Sequence, residues 1–258
     1  GAKILGKWHI FDAANPRATF EYIPDYMINW RGMIVKDDGS FEWIDLSLPK
    51  ISKSSVIATA KIDDYLALSG SIKERKTGYF GINLRRQIKD SKVEKDSLLG
   101  INIEGLQYRN IDIDIDEITA NTNTSYDFSL EDAAEELGDE LHFSPLFFLS
   151  ILENPFKKST RRFPIDFGYP FAREYIFTVE LPEGYKATYI PAPIKVSMPN
   201  DFGSYFYRIS NNGNTLQVLM KFEVSVPIVP LNYYGELKEF FKIRVEKENE
   251  KVILGRTN

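Results

Sequence analysis

Cysteine is absent from all 258 residues, which excludes disulfides, thiolate metal sites and a cysteine nucleophile supplied by this chain. Histidine is scarce, with His9 and His142 the two in the sequence. Neither stands in a His-Glu-x-x-His pair or beside a Gly-x-Ser-x-Gly elbow, and no phosphate-cradling Gly-x-x-x-x-Gly-Lys loop occurs. Zinc, serine-hydrolase and P-loop chemistry are therefore disfavoured, and no cofactor is expected. The longest apolar run, Pro-Leu-Phe-Phe-Leu-Ser-Ile-Leu at 145–152, falls far short of the roughly 20 residues that cross a bilayer as a helix. No membrane span is expected in this chain. Positive charge is not in excess either: Lys+Arg 32 against Asp+Glu 37 gives a formal net charge of −5. With no long basic stretch, the footprint of a phosphate-backbone binder is missing, so nucleic acid is not an expected partner. No repeat of solenoid or propeller period is visible.

What is present is an ordinary globular composition with a heavy aromatic load, Phe 18, Tyr 14 and Trp 3. Most of these rings are expected in core and interdomain packing, because Tyr-Phe-Tyr at 205–207 and Phe-Phe at 147–148 sit inside apolar patterns. The chain opens Gly1-Ala2-Lys3 with no basic-then-apolar leader, and reads as a processed or engineered fragment whose natural start lies upstream.

Local pattern predicts a mainly β chain (β-rich α+β), made of antiparallel β-sandwich-like modules with a C-terminal helix packed on the sheet. Residues 1–50 hold all three tryptophans, and Lys-Asp-Asp-Gly-Ser at 36–40 predicts a hairpin between apolar runs. A polar, Pro49-led stretch leads into one long strand over 56–74. The spacing of Tyr79, Phe80, Leu84 and Ile88, with Arg85 and Arg86 opposite, predicts a short amphipathic helix. Ile-Asp-Ile-Asp-Ile-Asp at 111–116 alternates strictly, the pattern of a half-buried strand. Residues 131–141 are read as a helical turn weakened by Gly138. Beyond Arg161 strands dominate, with a proline-rich link leading to Met198 and a strong turn at Asn-Asn-Gly-Asn, 211–214. Tyr233, Leu237, Phe240, Phe241 and Val245 form one helical stripe, and 251–254 suits a final strand. Three segments follow: 1–50, 51–160 as a β-rich middle domain with a short helix, and 161–258 as a β-sandwich-like domain with the helix.

Among candidate chemical groups, Asp112, Asp114, Asp116 and Glu117 carry the oxygens a hard cation takes. They lack EF-hand spacing, and period-two aspartates read as a solvated strand face. The pair Arg161-Arg162 is read as half of a structural salt bridge rather than an anion contact. A self-contained enzyme would need carboxylates such as Asp12, Asp166 and Asp201 to converge.

Two stretches carry a family resemblance. Lys-Trp-His-Ile-Phe-Asp-Ala-Ala-Asn-Pro at 7–16, with Tyr-Ile-Pro at 22–24 and Asn-Trp-Arg-Gly at 29–32, resembles the end of the catalytic core in bacterial transglutaminase-like proteins. Asp12 matches the triad aspartate there, and Ala14 stands where that pattern has threonine. Arg-Phe-Pro-Ile-Asp-Phe-Gly-Tyr-Pro at 162–170, Leu-Pro-Glu-Gly-Tyr at 181–185, 233–241 and 252–254 are similar to the uncharacterised C-terminal β-domain that follows such cores in cell-envelope proteins. The resemblance implies a catalytic thiolate and a histidine base supplied upstream, with Asp12 as the one triad position here. His9, three residues before Asp12, would face the opposite way on a strand, and is a poor substitute for a base that should lie further upstream. The implied role is that of a non-catalytic accessory region, not itself an enzyme, in the periplasm or cell envelope, with the upstream core of the same protein as its partner. The alternative is a β-sandwich module that binds a glycan or a peptide through exposed aromatics.

Overall fold

A computed structural model describes residues 1–12, 19, 22–46, 50–90, 95–100 and 103–257. The N-terminal segment forms two hairpins, β1 (Ala2–Ile4) with β2 (Lys7–His9), and β3 (Arg31–Val35) with β4 (Phe41–Asp45). In the second, Gly39 takes φ +80° and Asp38 accepts hydrogen bonds from Ser40 N and Oγ at 2.9 and 2.6 Å, so the expected turn forms. Then follow β5 (Ser52–Ile62), β6 (Leu68–Lys76), α1 (Tyr79–Asp90), α2 (Lys95–Leu98), β7 (Leu106–Ile115) and β8 (Thr122–Leu130). The remainder comprises β9 (Glu135–Leu137), β10 (Glu140–Phe143), β11 (Ile165–Asp166), β12 (Phe171–Glu180), β13 (Tyr185–Tyr189), β14 (Ile194–Ser197), β15 (Gly203–Asn212), β16 (Thr215–Val224), β17 (Ile228–Val229), α3 (Tyr234–Asn249) and β18 (Val252–Arg256).

Among the described residues eight strands form one sheet in the order β14-β15-β16-β12-β5-β6-β8-β7, and β13-β18-β10-β9 form a smaller one. The chain is mainly β, as its alternation implies. Most neighbours are antiparallel, but β12 runs parallel to β5 from Phe171↔Ser52 to Glu180↔Lys61. That pairing joins strands from either side of residue 160 in one sheet. One face of the large sheet is buried at every second residue, as with Leu216, Val218, Met220, Phe222 and Val224 on β16. The other face carries cross-strand ion pairs such as Lys53–Glu174 at 3.1 Å and Lys61–Glu180 at 3.3 Å.

The smaller sheet and α3 cover the buried face. Phe147 links the layers, stacking on Phe143 of β10 at 5.4 Å and meeting Phe177 of β12 at 5.8 Å. Helix α3 buries Tyr234, Leu237, Phe240, Phe241, Arg244 and Glu248, and sets Phe240 and Phe241 on Phe222 at 5.5 and 5.2 Å. The centre of the predicted stripe, Leu237, Phe240 and Phe241, is thus what docks on the sheet, while Tyr233 lies in the turn before α3 and Val245 is half-buried.

Three local readings need correction. The single strand over 56–74 is two, β5 and β6, because Asp63 Oδ1 accepts from Tyr65 N and Ala67 N at 2.9 and 3.0 Å and Leu66 turns to φ +62°. An Asx turn replaces the glycine or proline that would have marked it. Residues 131–141 are not helical: Gly138 at φ +66° closes the β9–β10 hairpin, which buries Leu141 beside β18. The proline-rich link before Met198 contains β14, which pairs with β15.

Tyr205 and Tyr207 are fully buried on β15, and neither hydroxyl finds a hydrogen-bond partner among the described residues. An orphaned buried hydroxyl costs stability. Tyr205→Phe and Tyr207→Phe are therefore expected to match or exceed the parent in urea unfolding, by up to about 1 kcal/mol each. A loss of more than that would mean that each hydroxyl is satisfied by an enclosed water.

Candidate functional site

Asp12 is half-buried just beyond β2, and β2 ends at His9, which pairs across the hairpin with Ala2. The alternation that would place His9 and Asp12 on opposite faces therefore stops short of Asp12. Ala14 lies outside the described residues. Of the other carboxylates, Asp166 sits on β11 and accepts from Gly168 N at 2.7 Å, while Asp201 lies in the 3-10 turn Pro199–Asp201. The candidates thus stand on three separate elements. Asp112 and Asp114 are exposed on β7, with Ile111, Ile113 and Ile115 half-buried behind them. Asp116 accepts from Ile118 N and Thr119 N; the Thr119 side chain first, and then these two backbone bonds, hold its carboxyl below the usual range. Among the described residues, no group of three or more His, Asp or Glu gathers as metal ligands do. His142 lies on β10, 3.1 Å from Glu140 Oε2.

The aromatics divide by region. Rings from 126 onward are mostly enclosed, whereas the N-terminal segment leaves several outside: Tyr26, Trp30, Phe41 and Trp43 are exposed. The register of β3 with β4 explains the grouping. Met33 lies opposite Trp43 and Val35 opposite Phe41, so four large apolar side chains share one face of a two-stranded ribbon. All four are more than half exposed: Met33 52%, Val35 63%, Phe41 60% and Trp43 53%. At the open end Arg31 pairs with Asp45 at 3.7 Å and stacks 5.5 Å above Trp43. Lys36 marks the turn end, paired with Glu42 at 3.3 Å.

The opposite face of the ribbon is the covered one. Gly32, Ile34, Glu42 and Ile44 are half-buried there; Trp8 donates its indole N–H to Glu42, which with Lys36 lowers that carboxyl's pKa. A side chain at Gly32 would press Leu46 at 3.3 Å. Behind it a second small core joins Ile23, Ile28 and Leu46 to Tyr79 of α1. Tyr79 donates to Ile23 O at 2.7 Å and stacks on Tyr169 at 4.6 Å, and Asn29 Nδ2 donates to Gly168 O at 2.7 Å. The ribbon is therefore anchored to the body on one side and open on the other. Sequence pattern names its residues but not its exposed side, because Ile34 and Ile44 are as apolar as Met33 and Val35. No helix of the described residues is long and apolar enough to cross a membrane.

Comparison with known proteins adds a family likeness for the C-terminal part. No curated protein matches the chain. Among solved structures, a "putative protease" from Parabacteroides distasonis aligns at 20% identity and a TM-score of 0.34, over 38% of this chain and 19% of that one. The chain thus spans about a fifth of that protein's length. Residues 139–254, from β10 to β18, match the model of a domain of unknown function with a solved structure, DUF3858.

Proposed function

We propose that this chain is a non-catalytic accessory region of a larger transglutaminase-like protein of the bacterial envelope, and that it docks on the upstream core through the open face of the β3–β4 ribbon. The observation that carries this reading is the exposed quartet Met33, Val35, Phe41 and Trp43. A contiguous apolar face of this kind, flanked by the Arg31–Asp45 pair, has the make-up of a protein contact. Its position favours the upstream core as occupant, since the ribbon directly follows the stretch that resembles the end of such a core. Half the quartet is aliphatic, and Met33 and Val35 offer no stacking platform, so a protein surface suits the face better than a sugar ring. Without a cysteine the chain brings no thiolate to that chemistry; the nucleophile and base belong to the core, with Asp12 at the join.

Mixing the chain with recombinant upstream core is expected to raise its melting temperature in a concentration-dependent way. Trp43→Asp, on an exposed position that leaves the fold intact, is expected to weaken the association about a hundredfold, as at a central hot spot. Equal shifts for parent and variant, or a monomer that self-associates through the ribbon and ignores the core, would overturn the reading.

A further inference from the structure

Between the loop at 154–163, the buried face of β12 and α3 lies a cleft of about 590 Å³. It shares Pro155, Phe156 and Arg161 with a hollow of about 710 Å³ running along 155–163. Both volumes are those of small-ligand sites. Phe156, Phe167 and Phe241 line the cleft, and so do three arginines, Arg161, Arg173 and Arg244. Each comes from a different element.

Arg244 of α3 is 6% exposed. Its Nε donates to Glu248 at 2.7 Å and its guanidinium lies 4.1 Å from the Phe222 ring centre. No hydrogen bond among the described residues uses its two Nη groups. Arg173 stands on the buried face of β12, in register with Phe222, with the ring of Phe80 at 5.0 Å. Arg161 lies 5.9 Å from the Tyr234 ring, in place of the salt bridge expected of it. No ion pair among the described residues involves Arg161, Arg162 or Arg173, although in this acidic chain Lys53, Lys61, Lys157 and Lys251 all find carboxylates. A guanidinium stacked by its face on a ring keeps its in-plane N–H donors for oxygen. Glu248 is engaged by Arg244 and Ile151 N, and Asp166, the one acid in the lining, turns Oδ1 to Gly168 N. The wall is also fixed in advance. Tyr234 donates to Lys158 O at 2.7 Å, Lys238 to Lys157 O and Lys158 O, and Asn154 to Lys238 O.

We propose that this cleft binds a peptide-borne carboxylate flanked by an apolar side chain, with Arg161, Arg173 and Arg244 holding the oxygens and Phe156, Phe167 and Phe241 receiving the side chain. Nothing in it rests on the ribbon docking to a core. A planar carboxylate suits guanidinium forks, and the rings supply the apolar half of the recognition.

The test is calorimetric titration of the whole chain with N-acetyl-Ala-Ala-Phe as the free acid and as the amide, and with N-acetyl-Ala-Glu-Phe-amide. The free acid is expected to saturate and the Ala-Ala-Phe amide to bind about tenfold or more weakly, the worth of a charge-assisted pair. Binding of the Glu peptide at the strength of the free acid supports the proposal equally and assigns the carboxylate to a side chain. Arg161→Gln, on an exposed residue, and Arg173→Gln are each expected to weaken the acid about tenfold, with Arg208→Gln on the opposite sheet face unchanged. Absence of saturation by either carboxylate peptide, equal binding of acid and amide, or Arg161→Gln binding as the parent does, would overturn it.

Discussion

Glu248→Ala is expected to cost the fold about 4 kcal/mol, the loss typical of removing one partner from a buried pair. Glu248 is fully enclosed and both its oxygens are used, Oε1 by Arg244 Nε at 2.7 Å and Oε2 by Ile151 N at 2.9 Å. Truncation would strand a guanidinium against Phe222 and the amide N–H of Ile151, each without a partner. At a domain size near this one, 1 kcal/mol corresponds to about 2–4 °C of melting temperature, so a fall of about 10 °C is expected. The pair differs from the double replacement. Arg244→Met with Glu248→Leu removes both charges and keeps the volume, and is expected to lose less than Glu248→Ala, with about 1–3 kcal/mol remaining from the Ile151 N–H left without its acceptor. Urea unfolding of both variants checks this; Glu248→Ala within about 1 kcal/mol of the parent would show that the enclosed charge has water to turn to.

The contrast between local and distant signals explains what the sequence discloses. The stripe from Tyr233 to Val245 foretells α3 because its spacing is set by one helix packing on one surface. The turn at 211–214 foretells the β15–β16 hairpin because Gly213 reaches φ +65° where other residues strain. The turn at 63–66 escapes, since it rests on a carboxylate folding back on its own backbone rather than on glycine or proline. The parallel pairing of β5 with β12 escapes for a different reason: it joins residues about 120 apart, and neither strand's alternation says which neighbour it takes. The same holds for function. Asp12 is a local reading, carried by its flanking residues. Arg161, Arg173 and Arg244 come to line one cleft only once β12, α3 and the loop are assembled. Likewise, which face of the β3–β4 ribbon is open depends on Trp8 and Leu46 covering the other.

Alkali should unfold this chain at a pH where a protein with exposed tyrosines would hold. Tyr79, Tyr126, Tyr205 and Tyr207 are all buried, and burial is the main cause that pushes each phenol well above its ordinary value. Carboxylates add to it, Glu248 for Tyr205 and Tyr207, Glu74 for Tyr126 and Asp25 for Tyr79. In the unfolded chain the same phenols ionise near pH 10, so above that pH the unfolded state holds fewer protons than the fold and gains stability from releasing them. Stability is thus intact below about pH 10 and falls as pH rises, by about 1.4 kcal/mol per pH unit for each phenol that stays protonated in the fold. Four such groups amount to roughly 5 kcal/mol by about pH 11, comparable with the whole stability of an ordinary domain. Phenolate absorbance and far-UV circular dichroism followed together are expected to show two stages. Phenols open to solvent ionise first with the fold intact, and the four buried phenols ionise in step with the loss of secondary structure. Tyr205→Phe with Tyr207→Phe removes half the set and is expected to move the second stage to higher pH. Complete phenolate formation near pH 10 with the dichroism unchanged would mean that these rings reach solvent within the fold, which the enclosed face of β15 contradicts.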